Sequence, residues 1–139
     1  MAAKSTKPVA TPRLYTGAKV PLRVIRRYAQ QVAERFQPDR IILFGSYAYG
    51  TPNEESDVDL MVVVPCRNEL DMSVKISWEL EAPFPVDLLV RTPAQWLWRT
   101  REGESFSTEI LTKGKVLYAK GDPGVGEKSR VRSPRRSRP

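Results

Sequence analysis

The chain has 139 residues, which suits one domain, and 40% of them are hydrophobic, which is enough for a buried core. It contains no histidine and a single cysteine, Cys66, which excludes serine–histidine triads, histidine-ligated zinc, thiolate metal clusters and an intrachain disulfide. The formal net charge of +7 is concentrated in residues 1–20 and 120–139, whereas residues 21–119 hold twelve basic and fourteen acidic residues, so the charge argues against a nucleic-acid-binding domain.

This distribution predicts three segments. A flexible basic N-terminal segment covers residues 1–20, a folded domain covers 21–119, and a disordered basic tail, poor in apolar residues, covers 120–139. No stretch approaches the roughly 18 apolar residues of a membrane-spanning helix, and no apolar segment follows the basic N-terminus as it would in a secretory signal. We therefore expect a cytoplasmic protein, with neither a membrane nor nucleic acid as its partner.

The first part of the domain is predicted to form one helix and two strands. Apolar residues at three- and four-residue spacing predict an amphipathic helix over 21–36, with Pro21 at its first position. The apolar run 41–44 predicts a buried strand. Residues 57–64 (DVDLMVVV) are apolar on both alternating faces apart from two aspartates, which predicts a strand in a sheet covered on both sides.

The next elements are a helix and a further buried strand. Asn68 is placed to cap a helix over 69–81, and residues 84–90 (FPVDLLV) predict the strand. We expect three apolar residues of this helix to face the core: Leu70, Val74 and Trp78.

The domain is predicted to end with two helices and a strand. Residues 92–95 have the capping-box pattern with proline at the first helical position, so a helix should follow through Arg101. A short helix over about 105–113 and a last strand over 115–119 complete the order. These elements predict a small α/β (α+β) domain.

Asp57 and Asp59 are the first candidate functional residues. Residues two apart in a strand project from the same face, so these carboxylates would repel each other at the mouth of an apolar strand. A cation would neutralise the pair, and carboxylate oxygens suit magnesium. The alternative is that Asp57 merely ends a loop and Asp59 is an exposed edge residue.

Asp87 is the third candidate, because it too lies within an apolar run. An acid there is costly unless it is paired, protonated or bound to a metal. If the strands 57–64 and 86–90 are adjacent, its carboxylate can join the first two. The alternative is an acid that pairs with an arginine such as Arg91 or Arg40.

Gly45-Ser46 follows the strand 41–44. A small-residue turn that leads into a helix offers backbone N–H groups to a phosphate, and the serine hydroxyl adds another donor. Most such dipeptides are ordinary turns. Two competing motifs are absent: an EF-hand starting at Asp57 would need glycine where Val62 stands and glutamate where Asn68 stands, and no Walker Gly-Lys-Ser/Thr occurs.

The combination of these features is more specific than any one of them. Gly-Ser, ten intervening residues, Asp-x-Asp in an apolar strand and a third aspartate in a second apolar strand occur in FGSYAYGTPNEESDVDLMVVV and VDLLV. On these residues the chain resembles the DNA polymerase β-like nucleotidyltransferase superfamily, and its short length is most like the minimal nucleotidyltransferases. The resemblance implies a small polymerase β-like domain with a mixed sheet flanked by helices.

The resemblance also implies two-metal nucleotidyl transfer. Asp57 and Asp59 would bridge two Mg²⁺ ions, and Asp87 would complete the site of the ion that activates the acceptor hydroxyl. Gly45 and Ser46 would hold the β- and γ-phosphates of ATP, the nucleotide substrate.

Minimal nucleotidyltransferases commonly accompany a helical HEPN protein, with which they resemble an antitoxin–toxin pair. The enzyme then silences the toxin by AMPylation, moving AMP from ATP to a tyrosine. This implies a HEPN-family toxin as partner. Because residues 21–119 leave no room for an acceptor domain, we expect an open site, completed by another molecule or by a further subunit of an oligomer. Trp96 and Trp98 cannot both face the core of a regular helix, and an exposed tryptophan would suit a partner contact.

Three other functions stay open at this point, one of which is a nucleic-acid-binding protein that uses the basic tails. The acceptor could be a small hydroxylated molecule, as with aminoglycoside nucleotidyltransferases, although the missing acceptor domain counts against it. The chain could also neutralise a partner by binding alone, with idle acids, although three mutually repelling carboxylates are costly without a metal.

Overall fold

The computed structural model describes residues 15, 19–53 and 56–121. The basic ends that the sequence predicts to be flexible lie mostly outside these residues. The helices are α1 (Leu22–Phe36), α2 (Ser46–Tyr49), α3 (Glu69–Glu79), α4 (Pro93–Arg101) and α5 (Ser105–Lys113), and the strands are β1 (Arg40–Phe44), β2 (Val58–Val63), β3 (Val86–Arg91) and β4 (Lys115–Ala119). The short α2 is additional to the predicted elements, and Pro21 caps α1 rather than being its first residue.

The four strands form one mixed sheet in the order β3-β2-β1-β4. β1 pairs antiparallel with both β2 and β4, whereas β2 and β3 are parallel and are joined by α3. The α/β class and the mixed sheet flanked by helices are therefore confirmed, as is the adjacency of the two aspartate-bearing strands.

Helices cover both faces of the sheet, as the apolar character of β2 predicts. On one face, residues of α1 and α3 pack against side chains such as Leu43, Leu60 and Val62. On the other face, Trp96 of α4 and Ile110 of α5 pack against a second set: Ile42, Phe44, Met61 and Val63. In the described part of the chain no helix is long and apolar enough to cross a membrane.

Two helix caps are formed as the sequence predicts. The side chain of Asn68 accepts a hydrogen bond from the backbone N–H of Asp71 at 2.9 Å, and the hydroxyl of Thr92 accepts one from Gln95 at 3.1 Å. Each cap satisfies a backbone donor that the first turn of a helix leaves without a partner. These local bonds fix where α3 and α4 begin.

The expected orientation of α3 was wrong. Leu70, Val74 and Trp78 are 72%, 60% and 54% exposed, and the helix instead buries Ile76. A second four-residue series, Met72, Ile76 and Leu80, lies on the opposite side of the helix and packs on the core. Tertiary bonds select it: the Tyr28 hydroxyl donates to the backbone oxygen of Leu80 at 2.7 Å, and Arg35 Nε lies 3.0 Å from Glu79 Oε1.

Candidate active site

The three predicted acids lie at the start of β2 and β3. Asp59 and Asp87 are direct partners in the parallel register of these strands, and Asp57 stands two residues before Asp59, just outside β2. Asp57 and Asp87 are exposed, and Asp59 is partly buried. Side chains alternate along a strand, so Asp59 projects from the sheet face that α4 and α5 cover.

The two arginines considered as partners of Asp87 are placed elsewhere. Arg91 lies four residues further along β3, where its Nη1 is 3.9 Å from Glu69 Oε1. Arg40 pairs with Val63, at the opposite end of β2 from the acids. The ion-pair explanation of Asp87 therefore has no support in the geometry.

Within this cluster, the surroundings of Asp59 disfavour the ionised form of its carboxyl group. Burial, followed by the charges of Asp87 and Asp57, raises its pKa from 3.8 to about 6. Each of these causes disfavours the ionised form, which is the form that binds a cation. A divalent cation bound here would instead favour the ionised form and lower the pKa of Asp59.

Gly45 lies directly against Asp59. Its φ is +74°, and a Cβ at this position would collide with the Asp59 carboxylate, so the position admits only glycine. The oxygen of Gly45 accepts bonds from the N–H groups of Ala48 and Tyr49, which closes the single turn of α2. The N–H groups of the first residues of a helix have no partner within it. The contact between Gly45 and Asp59 therefore places the first backbone N–H groups of α2 beside the acids.

The chemistry of this donor set fits magnesium, because carboxylate oxygens are the ligands that this ion prefers. The three side chains nevertheless do not converge on one point. Within residues 15, 19–53 and 56–121, no group of three acidic, cysteine or histidine side chains is arranged to hold a metal ion. The backbone register places Asp59 beside Asp87, and Asp57 two residues before Asp59.

Phe44 pairs with Asp59, Tyr49 bonds to Gly45, and two residues of α5 contact these rings; the sequence singled out none of the four. The ring of Phe106 packs edge-to-face on Phe44 at a centroid distance of 5.7 Å, and Lys113 Nζ lies 5.9 Å from the ring centroid of Tyr49. Burial, then the charges of Glu109 and Asp59, raise the pKa of Tyr49, while the Gly45 backbone opposes the rise. Helical spacing relates the α5 residues to one another, but only tertiary packing brings them to β1 and α2.

A mixed sheet with carboxylates on adjacent strands and a glycine turn packed on one of them is the arrangement expected of an enzyme that transfers nucleotides. The sequence profile of the nucleotidyltransferase domain matches residues 25–113. The chain belongs to this family and is a nucleotidyltransferase.

A curated relative agrees with this assignment, and two solved structures resemble the chain to different degrees. A candidate protein adenylyltransferase of Methanocaldococcus jannaschii is 33% identical over 79 residues, which cover 57% of this chain and 77% of the relative. The crystal structure of a candidate nucleotidyltransferase from Sulfolobus solfataricus has a TM-score of 0.51 at 18% identity, over 71% of this chain and 80% of that one, which shows a common fold. A toxin–antitoxin structure with AMP-PNP has a TM-score of 0.44 at 22% identity, over 69% of this chain and 74% of that one.

Proposed function

We propose that this chain transfers AMP from ATP to a hydroxyl group of a partner protein, with Mg²⁺ as the metal. The observation that carries the proposal is the register pairing of Asp59 with Asp87, with the Gly45 turn packed on Asp59. This geometry supplies carboxylates for a metal and backbone donors for phosphate side by side.

Each residue has a proposed role. Asp57 and Asp59 would hold the Mg²⁺ ions, and Asp87 would be a further ligand on the acceptor side. Gly45 and Ser46 bind the β- and γ-phosphates through backbone N–H groups and the serine hydroxyl. When bound, the ions supply charge neutralisation at the α-phosphate and lower the pKa of the acceptor hydroxyl.

The reaction exchanges one phosphorus–oxygen bond for another. The acceptor oxygen forms a bond to the α-phosphorus as the bond to the α,β-bridging oxygen breaks, and pyrophosphate leaves in line. Asp87 is exposed at the outer edge of the sheet, so a carboxylate oxygen there can accept the proton that the acceptor loses. Gly45 and Ser46 hold the departing pyrophosphate.

Two features favour a protein as the acceptor. β3 is an edge strand, so a large molecule can approach Asp87 without displacing another part of the sheet. The curated relative that matches over most of its own length carries the name of a candidate protein adenylyltransferase. We propose a tyrosine of a helical HEPN-family toxin as the acceptor, which would make this chain an antitoxin that acts by AMPylation.

The test first asks whether an adjoining reading frame encodes a small helical protein, and then incubates that partner with the full chain and Mg²⁺. ATP labelled at the α-phosphate should label the partner, whereas ATP labelled at the γ-phosphate should not, and mass spectrometry should place AMP on a tyrosine. Asp59→Asn should abolish labelling, and the exposed control Glu102→Gln should retain it.

The other outcomes separate the competing functions. Labelling of an aminoglycoside-like small molecule, with an unlabelled partner, would establish a small-molecule acceptor. Neutralisation of the partner by the Asp59→Asn variant, without transfer, would establish a binding antitoxin. Either result would overturn the proposal.

A further inference from the structure

One side of α5 presents an aromatic, an acidic and a basic side chain in succession. Phe106, Glu109 and Lys113 are three and four residues apart, a spacing that aligns them along a helix, and all three are exposed. We propose that this side of α5 recognises the nucleoside triphosphate: Phe106 stacks on the base, Glu109 accepts a hydrogen bond from the ribose, and Lys113 binds the phosphates. The inference rests on the nucleotidyl transfer proposed above.

Phe106 is placed beside the acids by its contact with Phe44. Phe44 is the cross-strand partner of Asp59, and cross-strand partners project from the same face of a sheet. Phe44 also immediately precedes Gly45. Because Phe106 packs on Phe44 at 5.7 Å and stays 41% exposed, its ring is a hydrophobic platform at the rim of the candidate active site. Aromatic rings of this kind stack on nucleobases with little dependence on sequence.

Lys113 is placed at the other end of the site by Tyr49. Its Nζ lies 5.9 Å from the centroid of the Tyr49 ring, a favourable cation–π distance. The backbone N–H of Tyr49 in turn donates to the oxygen of Gly45 at 3.0 Å, so this ring belongs to the turn that Gly45 begins. The ammonium group is therefore held on the side of the Gly45 turn, where it can neutralise part of the charge of a triphosphate.

Glu109 lies between these two residues on α5 and is exposed. A carboxylate repels phosphate, so it suits the uncharged part of the nucleotide. Ribose hydroxyl groups are donors, and a carboxylate accepts such bonds strongly.

The spacing along the helix matches the order of the groups in the ligand. Seven residues separate Phe106 from Lys113, which is about 10 Å along a helix axis. An extended nucleoside triphosphate spans such a distance, with the ribose between the base and the terminal phosphates. The order of the three side chains, aromatic, carboxylate and ammonium, is the order base, ribose and phosphate.

The test measures binding rather than turnover, by calorimetry with Mg²⁺ and α,β-methylene-ATP, which cannot be cleaved between these phosphates. Lys113→Met should raise the Kd about tenfold or more, since it removes a charged partner of phosphate. Phe106→Ala should raise it about fivefold or more through lost stacking. Glu109→Ala should reduce the preference for a ribose over a 2′,3′-dideoxyribose analogue in competition.

Matched controls exist on the same segment. Lys115 pairs with Leu43, whose side chain belongs to the opposite face of the sheet, so Lys115→Met removes the same charge without affecting the site. Leu111 is 51% exposed and lies five residues after Phe106, on another side of α5. Lys115→Met and Leu111→Ala should each change the Kd by less than about twofold. If Phe106→Ala does not fold, Phe106→Leu keeps an apolar contact with Phe44 and still removes the stacking ring.

The outcomes distinguish this inference from the function on which it rests. If the wild-type chain binds and transfers the nucleotide while the α5 variants bind like wild type, the α5 assignment is wrong and the transfer stands. If the wild-type chain binds no nucleotide and labels no acceptor, both are wrong. A loss of binding in the Lys115→Met control equal to that of Lys113→Met would also overturn the assignment.

Discussion

The carboxylate of Asp59 occupies the space that a Cβ on Gly45 would need. Gly45 also adopts a φ of +74°, which side chains rarely allow, so two separate constraints fix glycine here. The contact joins the turn after β1 to the second residue of β2. The proposed phosphate donors and the central carboxylate are therefore positioned by a single packing relationship.

Gly45→Ala should cost more stability than the positive φ alone explains. Gly50 is a control for a left-handed backbone without a clash, because its φ is +90° and its ψ 14°, and nothing lies within 4 Å of an added Cβ, whereas Gly45 combines its clash with a ψ of −161° that almost only glycine adopts. We expect Gly50→Ala to cost about 1 kcal/mol and Gly45→Ala about 3 kcal/mol, with loss of transfer only in the latter. Urea denaturation and α-phosphate labelling measure the two effects. Equal costs for both variants would contradict the packing argument.

Asp87→Asn should leave the fold intact and abolish transfer. Asp87 is exposed on an edge strand, so the substitution buries no new polar group and changes stability by less than about 1 kcal/mol. Transfer is lost because residue 87, the proposed metal ligand on the acceptor side, no longer carries a negative charge. Labelling assays beside thermal denaturation test this, with Glu102→Gln as the exposed control. A folded Asp87→Asn variant with full activity would remove Asp87 from the mechanism.

The metal-free protein should lose stability as pH rises from about 4 to about 6. Burial, together with Asp87 and Asp57, raises the pKa of Asp59 from 3.8 to about 6, so between these values the folded chain holds a proton that the unfolded chain has released. The contribution of Asp59 to the free energy of unfolding therefore falls through this window and stays low above it. Solvent screens the partly exposed group, which limits the change to about 1 kcal/mol.

Asp59→Asn isolates this effect, since asparagine does not titrate. Urea denaturation of both proteins without metal should show a stability difference that changes across this window and is constant above it. Asp87→Asn should narrow the pH range over which this difference changes, because it removes one of the charges that raise the pKa of Asp59. A difference that does not vary with pH would contradict the assigned pKa.

The two apolar series of α3 should differ sharply in their effect on stability. Leu70 is 72% exposed, so Leu70→Ala should change the free energy of unfolding by less than about 0.5 kcal/mol. Ile76 is fully buried, and Ile76→Ala should cost about 2–5 kcal/mol through lost burial and the cavity left behind. Chemical denaturation of the two variants compares them directly. A large cost for Leu70→Ala would restore the orientation expected from sequence.

These two series show where sequence reasoning reaches its limit in this fold. Elements and caps depend on neighbouring residues, so the apolar strand β2 and the capped starts of α3 and α4 could be predicted. The rotation of α3 could not, because the segment offers two four-residue apolar series. Bonds from Tyr28 and Arg35, about forty to fifty residues away along the chain, choose between them.

In the candidate site too, some features could be predicted from the sequence and others could not. Asp57 and Asp59 share a strand face by periodicity alone, and Asp87 follows once the second apolar run is placed beside it. The contact of Gly45 with Asp59 depends on the antiparallel register of β1 and β2, which sequence spacing does not fix. The approach of Lys113 to Tyr49 depends on how α5 packs against β1 and α2.

The two tryptophans of α4 should separate stability from partner binding. Trp96 is 7% exposed and packs in the same cluster as Phe44, beside the candidate site, so Trp96→Ala should cost about 3–5 kcal/mol. Trp98 is 57% exposed, so Trp98→Ala should change stability by less than about 0.5 kcal/mol and leave the binding of α,β-methylene-ATP unchanged.

If Trp98 contacts the partner protein, Trp98→Ala should weaken the complex about tenfold or more, because large exposed aromatics contribute strongly when an interface buries them. Calorimetry with the purified partner measures this, and Leu111→Ala on the neighbouring helix is the control for loss of an exposed apolar side chain. A Trp98→Ala variant that binds the partner and receives labelled AMP on it at the wild-type rate would show that the partner docks elsewhere. The exposed edge strand β3 would then be the surface to vary next, since Asp87 requires the acceptor hydroxyl to approach from that side.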